Sequence, residues 1–201
     1  PLKYWKIFAA IQKNKFGLIM KWVNKRPYLV KVRDWDGMTL FHWAILKANI
    51  HLVQYLINKG ANVHQKARIF YAQTIIDEKE KYNYLMRGNA LTLANRWQDF
   101  VYIQDSEKSE IYENKIQKII LILLKKRIKI QWKYLDKGQD QGFNLFSYAI
   151  KKQDYYMLLH LLHQVDRKHT ITSFSGASLL QQAQKTKNSK IIFLLKKFKI
   201  R

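Results

Sequence analysis

The chain has 201 residues, with 37 Lys plus Arg against 14 Asp plus Glu, a formal net charge of +23 and a pI near 10.1. Hydrophobic residues make up 48% and aromatics 14%, enough to bury a core and too much for a disordered basic tail. There is no cysteine, which excludes disulfides, thiolate metal sites and cysteine nucleophiles and says nothing about compartment. The longest apolar run, Ile119 to Leu124, is too short to span a bilayer and is closed by Lys125-Lys126-Arg127. Pro1 is not a native start, so a Met or a longer leader is expected before it.

The charge is uneven. Residues 1–33 and 167–201 each hold nine Lys or Arg and no acid, whereas 34–166 hold 19 bases and 14 acids. Five of those acids, Asp99, Asp105, Glu107, Glu110 and Glu113, lie in one stretch with Lys108 as its only base. Basic ends around an acidic insert create a strong field asymmetry. An excess of 29 Lys over 8 Arg, with abundant Ile, Asn and Tyr, is also what AT-rich codon usage produces, and the field acts on anionic neighbours whatever its origin.

The apolar pattern repeats. Taken in chain order, Ala10 is followed at plus 8, 9 and 12 by Leu18, Ile19 and Trp22, and Ala44 by Leu52, Val53 and Leu56. Ala149 is followed in the same way by Met157, Leu158 and Leu161, and Ala183 by Ile191, Ile192 and Leu195. The spacing is 34 residues from Ala10 to Ala44 and again from Ala149 to Ala183. Between them, Gly88-Asn89-Ala90-Leu91-Thr92-Leu93-Ala94 supplies a fifth anchor, whose second apolar set (Ile119, Ile120, Leu123) arrives 17 residues late. Residues 99–115 are therefore read as an insert between two helices, 66–87 as a longer insert before Gly88, and about 131–138 as a short one.

Apolar residues at i, i+3 and i+4, such as Leu52, Tyr55 and Leu56, predict helices throughout. Gly37, Gly88, Gly142 and Gly176 recur just before a first helix, where a turn with positive φ is expected. Strand content is expected to be close to nil apart from hairpin-like turns. Trp5 and Trp22 fall at core spacing.

One unit reads clearly: Asp36-Gly37-Met38-Thr39-Leu40-Phe41-His42-Trp43-Ala44, then Leu52-Val53-Gln54-Tyr55-Leu56-Ile57, then Gly60-Ala61-Asn62-Val63. Over about 30 residues this resembles an ankyrin repeat, in which a turn, a helix opened by Thr-x-x-His, a second apolar helix and a Gly-Ala-Asn-Val exit follow one another. Leu40 stands where that family usually places proline. A lone helix pair cannot cover its apolar face, so the resemblance implies more units. The expected architecture is an all-α ankyrin-repeat solenoid of stacked helix-turn-helix units with long inserted loops, forming one domain over 1–201. Its repeats are placed at about 1–30, 34–65, 88–130, 140–166 and 174–201.

Catalytic chemistry is not evident. There is no Gly-x-Ser-x-Gly, Gly-rich phosphate loop or His-Glu-x-x-His, so an enzyme and a cofactor are not expected. By the family resemblance His42 is a structural residue that bonds backbone and stiffens the turn. His160 and His163 have i, i+3 spacing without a third ligand at helical spacing, which favours a solvated or stacked helix face over a metal site. Asp34 and Asp36 precede a helix pair, where a carboxylate most simply caps turn amides.

Function then falls to surfaces. The resemblance implies protein binding through loop tips and the concave face they form with the first helices. The expected partner-binding residues are Trp35, Asp36, Met38, Gln139 and Phe174 at tips and Phe70 and Tyr71 in the aromatic insert. For Trp35 the alternatives are an exposed anchor and a ring packed on Tyr28 or the neighbouring unit.

The leading expectation is a non-enzymatic scaffold for protein–protein interaction, within a larger assembly and with a strongly basic surface. An RNA-associated protein, such as a ribosomal or organellar ribonucleoprotein component, is the alternative. It rests on lysines interleaved with aromatics, with Lys3, Lys6, Lys129, Lys133, Lys196, Lys197 and Lys199 as the nucleic-acid or anion-binding candidates. The same charge suits an acidic protein. A host-directed effector of an intracellular bacterium or a virus is a further alternative, by analogy of composition. An intracellular location is expected, with an organelle or a host cytoplasm both open.

Overall fold

In the computed structural model, residues 4–72, 83–95, 106–126, 128, 145–164 and 178–199 are described. They contain ten α-helices and one antiparallel two-stranded ribbon. The chain divides into two compact units, Pro1–Ile128 and Lys129–Arg201.

The first unit contains α1 (Trp5–Gln12), α2 (Phe16–Lys25), a 3-10 helix (Pro27–Lys31), α3 (Leu40–Leu46) and α4 (Ile50–Asn58). Strands β1 (Ala67–Ala72) and β2 (Asn83–Gly88) follow, then α5 (Ala90–Asn95) and α6 (Ser106–Lys125). First helices pack on first helices, with α3 touching both α1 and α5, and second helices on second helices, with α4 touching both α2 and α6. The second unit contains α7 (Leu145–Lys151), α8 (Tyr155–Leu162), α9 (Leu179–Thr186) and α10 (Ser189–Lys197). There α7 packs on α9 and α8 on α10. Each of the five expected repeat spans thus holds one helix pair.

The sequence anchors explain this packing. Ala10, Ala44, Ala94, Ala149 and Ala183 are all buried, each in the second half of a first helix, where a small side chain lets the neighbours approach. The second-helix sets are buried as well, with three departures: Leu18 is exposed and Trp22 and Ile192 are half-buried. Trp5, placed at core spacing by the sequence, is 58% exposed. It occupies the first position of α1, whose cap residue Tyr4 makes no side-chain cap bond.

Two devices recur in register although their residues differ. Five residues before the anchor stands a cap that pairs with the residue three further on: Thr39 with His42, Asn89 with Thr92 and Ser178 with Gln181. Asn89 Oδ1 accepts the amides of Leu91 and Thr92 at 3.1 and 3.0 Å, satisfying first-turn donors that would otherwise be orphaned. Four residues after the anchor, Asn14, Ala48, Gln153 and Lys187 all have positive φ, between 47° and 56°. The left-handed residue reverses the chain, and the next amide reaches the anchor carbonyl in three units: Lys15 to Ala10, Asn49 to Ala44 and Asp154 to Ala149, at 2.8–3.0 Å. Asn49, Asp154 and Asn188 then cap the second helices.

The inserts differ from expectation. The segment 66–87 contributes the ribbon, with Ala67 opposite Gly88 and Phe70 opposite Leu85. Gly88 therefore ends a strand, whereas Gly37 has the expected positive φ of 74°. Residues 106–115, read as part of an insert between helices, are the first half of the 20-residue α6. The apolar pattern starts only at Ile116, since Glu110, Asn114 and Lys115 on the preceding turns are exposed. Among the described residues no helix is long and apolar enough to cross a membrane.

Candidate functional site

The turn that opens the second helix pair is densely hydrogen-bonded. Asp34 holds it together. Its Oδ1 accepts the amides of Asp36 (3.0 Å) and Met38 (2.8 Å), and its Oδ2 accepts the indole N–H of Trp43 at 2.7 Å. The Gly37 amide donates to the Asp34 carbonyl at 3.1 Å, and the Asp34 amide to the Met38 carbonyl at 2.9 Å. The Thr39 amide donates to His42 Nδ1 at 3.1 Å. Four consecutive amides, 36 to 39, therefore all have acceptors, and Asp34 caps turn amides as the sequence predicts.

His42 extends the clamp to the far end of the repeat. Its ring is fully buried, and Nε2 lies 3.1 Å from the Gln65 carbonyl. Because Nδ1 accepts from Thr39, the proton resides on Nε2, which donates to Gln65. Burial pushes the imidazole down to about 4, against smaller opposing effects from the Gln65 bond and Asp34. The Gln65 side chain in turn accepts from Arg33 at 2.8 Å, and the Asp36 carbonyl accepts the Arg68 amide at 2.8 Å. A neutral, doubly bonded, enclosed histidine is a structural strut and has no face open to a substrate.

The clamp displays Trp35. This side chain is 72% exposed, while Tyr28 places its ring edge-on to Tyr4 at 6.3 Å. Asp36 beside it is half-buried, and its carboxyl is raised above its ordinary value by burial and then by Asp34, with Arg68 opposing. Met38 was expected at the same tip and is corrected: at 7% exposure it points into the core, because its amide and carbonyl are both bonded to Asp34 and the chain turns inward toward Thr39. Phe70 and Tyr71 lie in β1, opposite Leu85 and Tyr84. Gln139 and Phe174 lie outside the described residues, as do Lys3, Lys129 and Lys133.

The remaining cationic candidates are exposed. Lys196 and Lys197 end α10, with Lys199 two residues on and Phe193 67% exposed on the same helix. Lys6 lies on α1 and lines a cavity of about 390 Å³ with Tyr4, Ile7, Trp22, Lys25, Arg26 and Leu29. The roles of Lys25, Arg26 and Gln65 were not anticipated from sequence. For the first two, the acid-free run before Asp34 was the available signal. His163 meets the ring of Phe198 edge-on at 5.2 Å, a stacked helix face, and among the described residues no group of His, Asp and Glu is arranged to hold a metal ion.

Stacked helix pairs, the second of them opened by a Thr-x-x-His capping box, define a helical repeat protein. A family model described as the ankyrin repeat matches residues 36–65, the pair held by Asp34, His42 and Gln65, so the chain carries an ankyrin repeat there. The ankyrin repeat is a module for protein–protein interaction. No curated protein matches the chain.

Proposed function

We propose that the protein is a non-enzymatic scaffold that grips a protein partner through the turn at 34–38, with Trp35 as the anchor, inside a larger assembly. The observation that carries this reading is a tryptophan 72% exposed on a turn whose four following amides are all bonded. Tryptophan is enriched among residues that dominate interface energies, and a preset turn spares the ordering cost of docking. The net charge of +23 supports an acidic partner drawn in by long-range attraction.

The test is a photo-crosslinking residue placed at position 35, with Phe193 in the other unit as the control position. A partner crosslinked from 35 and not from 193, whose binding as a purified protein weakens at least about tenfold in Trp35→Ala, supports the reading. Equal crosslinking from both positions, or a partner indifferent to Trp35→Ala, overturns it.

A further inference from the structure

The cavity beside α1 and α2 is distinct from the Trp35 turn. Ile7 and Leu29, both buried, give it apolar walls. Tyr4 and Trp22, both half-buried, line it with two aromatic rings. Lys6, Lys25 and Arg26 bring three cations, all exposed. No acid occurs anywhere in residues 1–33, so the two helices that build the cavity offer no carboxylate to neutralise them. Lys25 and Arg26 stand at the C-terminal end of α2, where carbonyls and not amides face outward. An anion held here is held by side chains, since the helix dipole works against it.

We propose that this cavity is a nucleotide-binding site, in which a planar base rests against Trp22 or Tyr4 and the phosphate is taken by Arg26 with Lys6 and Lys25. Guanidinium forks match phosphate oxygens two at a time, ammonium groups add charge, and aromatic faces accept any base. An inorganic anion has no use for the apolar walls. The ligand is either a free nucleotide or one nucleotide of a single strand, and the two share this chemistry. The inference does not rest on the reading of Trp35, and each stands if the other fails.

The experiment is displacement of a fluorescent AMP analogue from the full chain by unlabelled AMP, UMP, a short oligouridylate, phenyl phosphate and inorganic phosphate. Lys25→Glu/Arg26→Glu is compared with Lys125→Glu/Lys126→Glu, two exposed lysines at the end of α6 that change the net charge equally. Displacement by AMP and UMP, weakened about tenfold or more by the first pair and not by the second, is expected. Trp22→Ala should weaken it comparably, with Trp22→Phe restoring most of the loss. Oligouridylate that competes better than UMP assigns the site to a strand, and equal competition assigns it to free nucleotide. Absence of displacement, equal loss in both charge reversals, or stronger competition by phenyl or inorganic phosphate overturns the proposal.

Discussion

Thr39 and His42 open α3 with a capping box, and His42 reaches across to Gln65 while Asp34 ties down the turn in front. At the matching positions of α1 stand Trp5 and Phe8, which make no cap. Both regions bury the same alanine and the same second-helix isoleucine or valine (Ala10 and Ile19, Ala44 and Val53), so the apolar scaffold is shared. What differs is the polar clamp. Where it is present, the turn is fixed and an aromatic side chain is held in water. Where it is missing, Trp5 is left in solvent and a cation-lined cavity lies between the helices. The comparison teaches that one scaffold yields a protruding anchor or a receptive hollow depending on a few hydrogen bonds at the head of the first helix.

Removing the clamp should have the largest effect. His42→Ala deletes the ring's hydrogen bonds to Thr39 and Gln65 and leaves a cavity in a fully buried site, at a cost of about 3 kcal/mol. Thermal unfolding should show this as a drop of roughly 6–12 °C. Phe8→His, which puts the imidazole at the matching position of α1 without a Gln65 equivalent, should not create a comparable gain.

Acid should loosen the same repeat. The ordinary histidine value is 6.5 and His42 is held near 4, so the unfolded chain takes up a proton before the folded one does. The stabilising contribution is complete above pH 6.5 and is lost as pH falls from 6.5 toward 4. Between pH 7 and pH 5 this amounts to about 2 kcal/mol. Denaturant titrations at the two pH values should show that loss in the wild type and a smaller one in His42→Gln.

Smaller effects sharpen the contrast. The Tyr55 hydroxyl lies 3.0 Å from the Met20 carbonyl and 2.8 Å from Asn24 Oδ1, the polar tie from the clamped repeat to α2. Tyr55→Phe should cost about 1 kcal/mol in a denaturant titration. Lys187→Gly should do the reverse. It relieves a left-handed residue with φ of 56°, and after the entropy cost of glycine a gain of about 0.5 kcal/mol is expected.

Much of the fold is legible in the sequence because burial obeys a period. The alanine anchors and their apolar partners fall on the helix pairs seen among the described residues, since 3.6 residues per turn leaves few ways to bury them. The left-handed residues four positions after Ala10, Ala44, Ala149 and Ala183 are not legible, because Asn, Ala, Gln and Lys share no chemistry and the chain reversal alone selects their backbone. The N-terminal half of α6 is hidden for a related reason, as Glu and Lys on a solvated helix carry no apolar signal. The ribbon is hidden by its ten-residue separation, far from the two-residue hairpin signal. At the candidate site, Trp35 and Asp34 are visible as an aromatic and a carboxylate before a helix. The inward turn of Met38 depends on its backbone bonds to Asp34, and the reach of His42 to Gln65 on a contact 23 residues away.

The claim that the clamp makes the 34–38 turn a preset platform is tested most directly by amide hydrogen exchange at neutral pH. The amides of Asp36, Gly37, Met38 and Thr39 are predicted to exchange more slowly than those of α2, despite lying in a surface turn. Exchange of these four amides at the rate of an open loop, or unchanged in His42→Ala, would contradict the account.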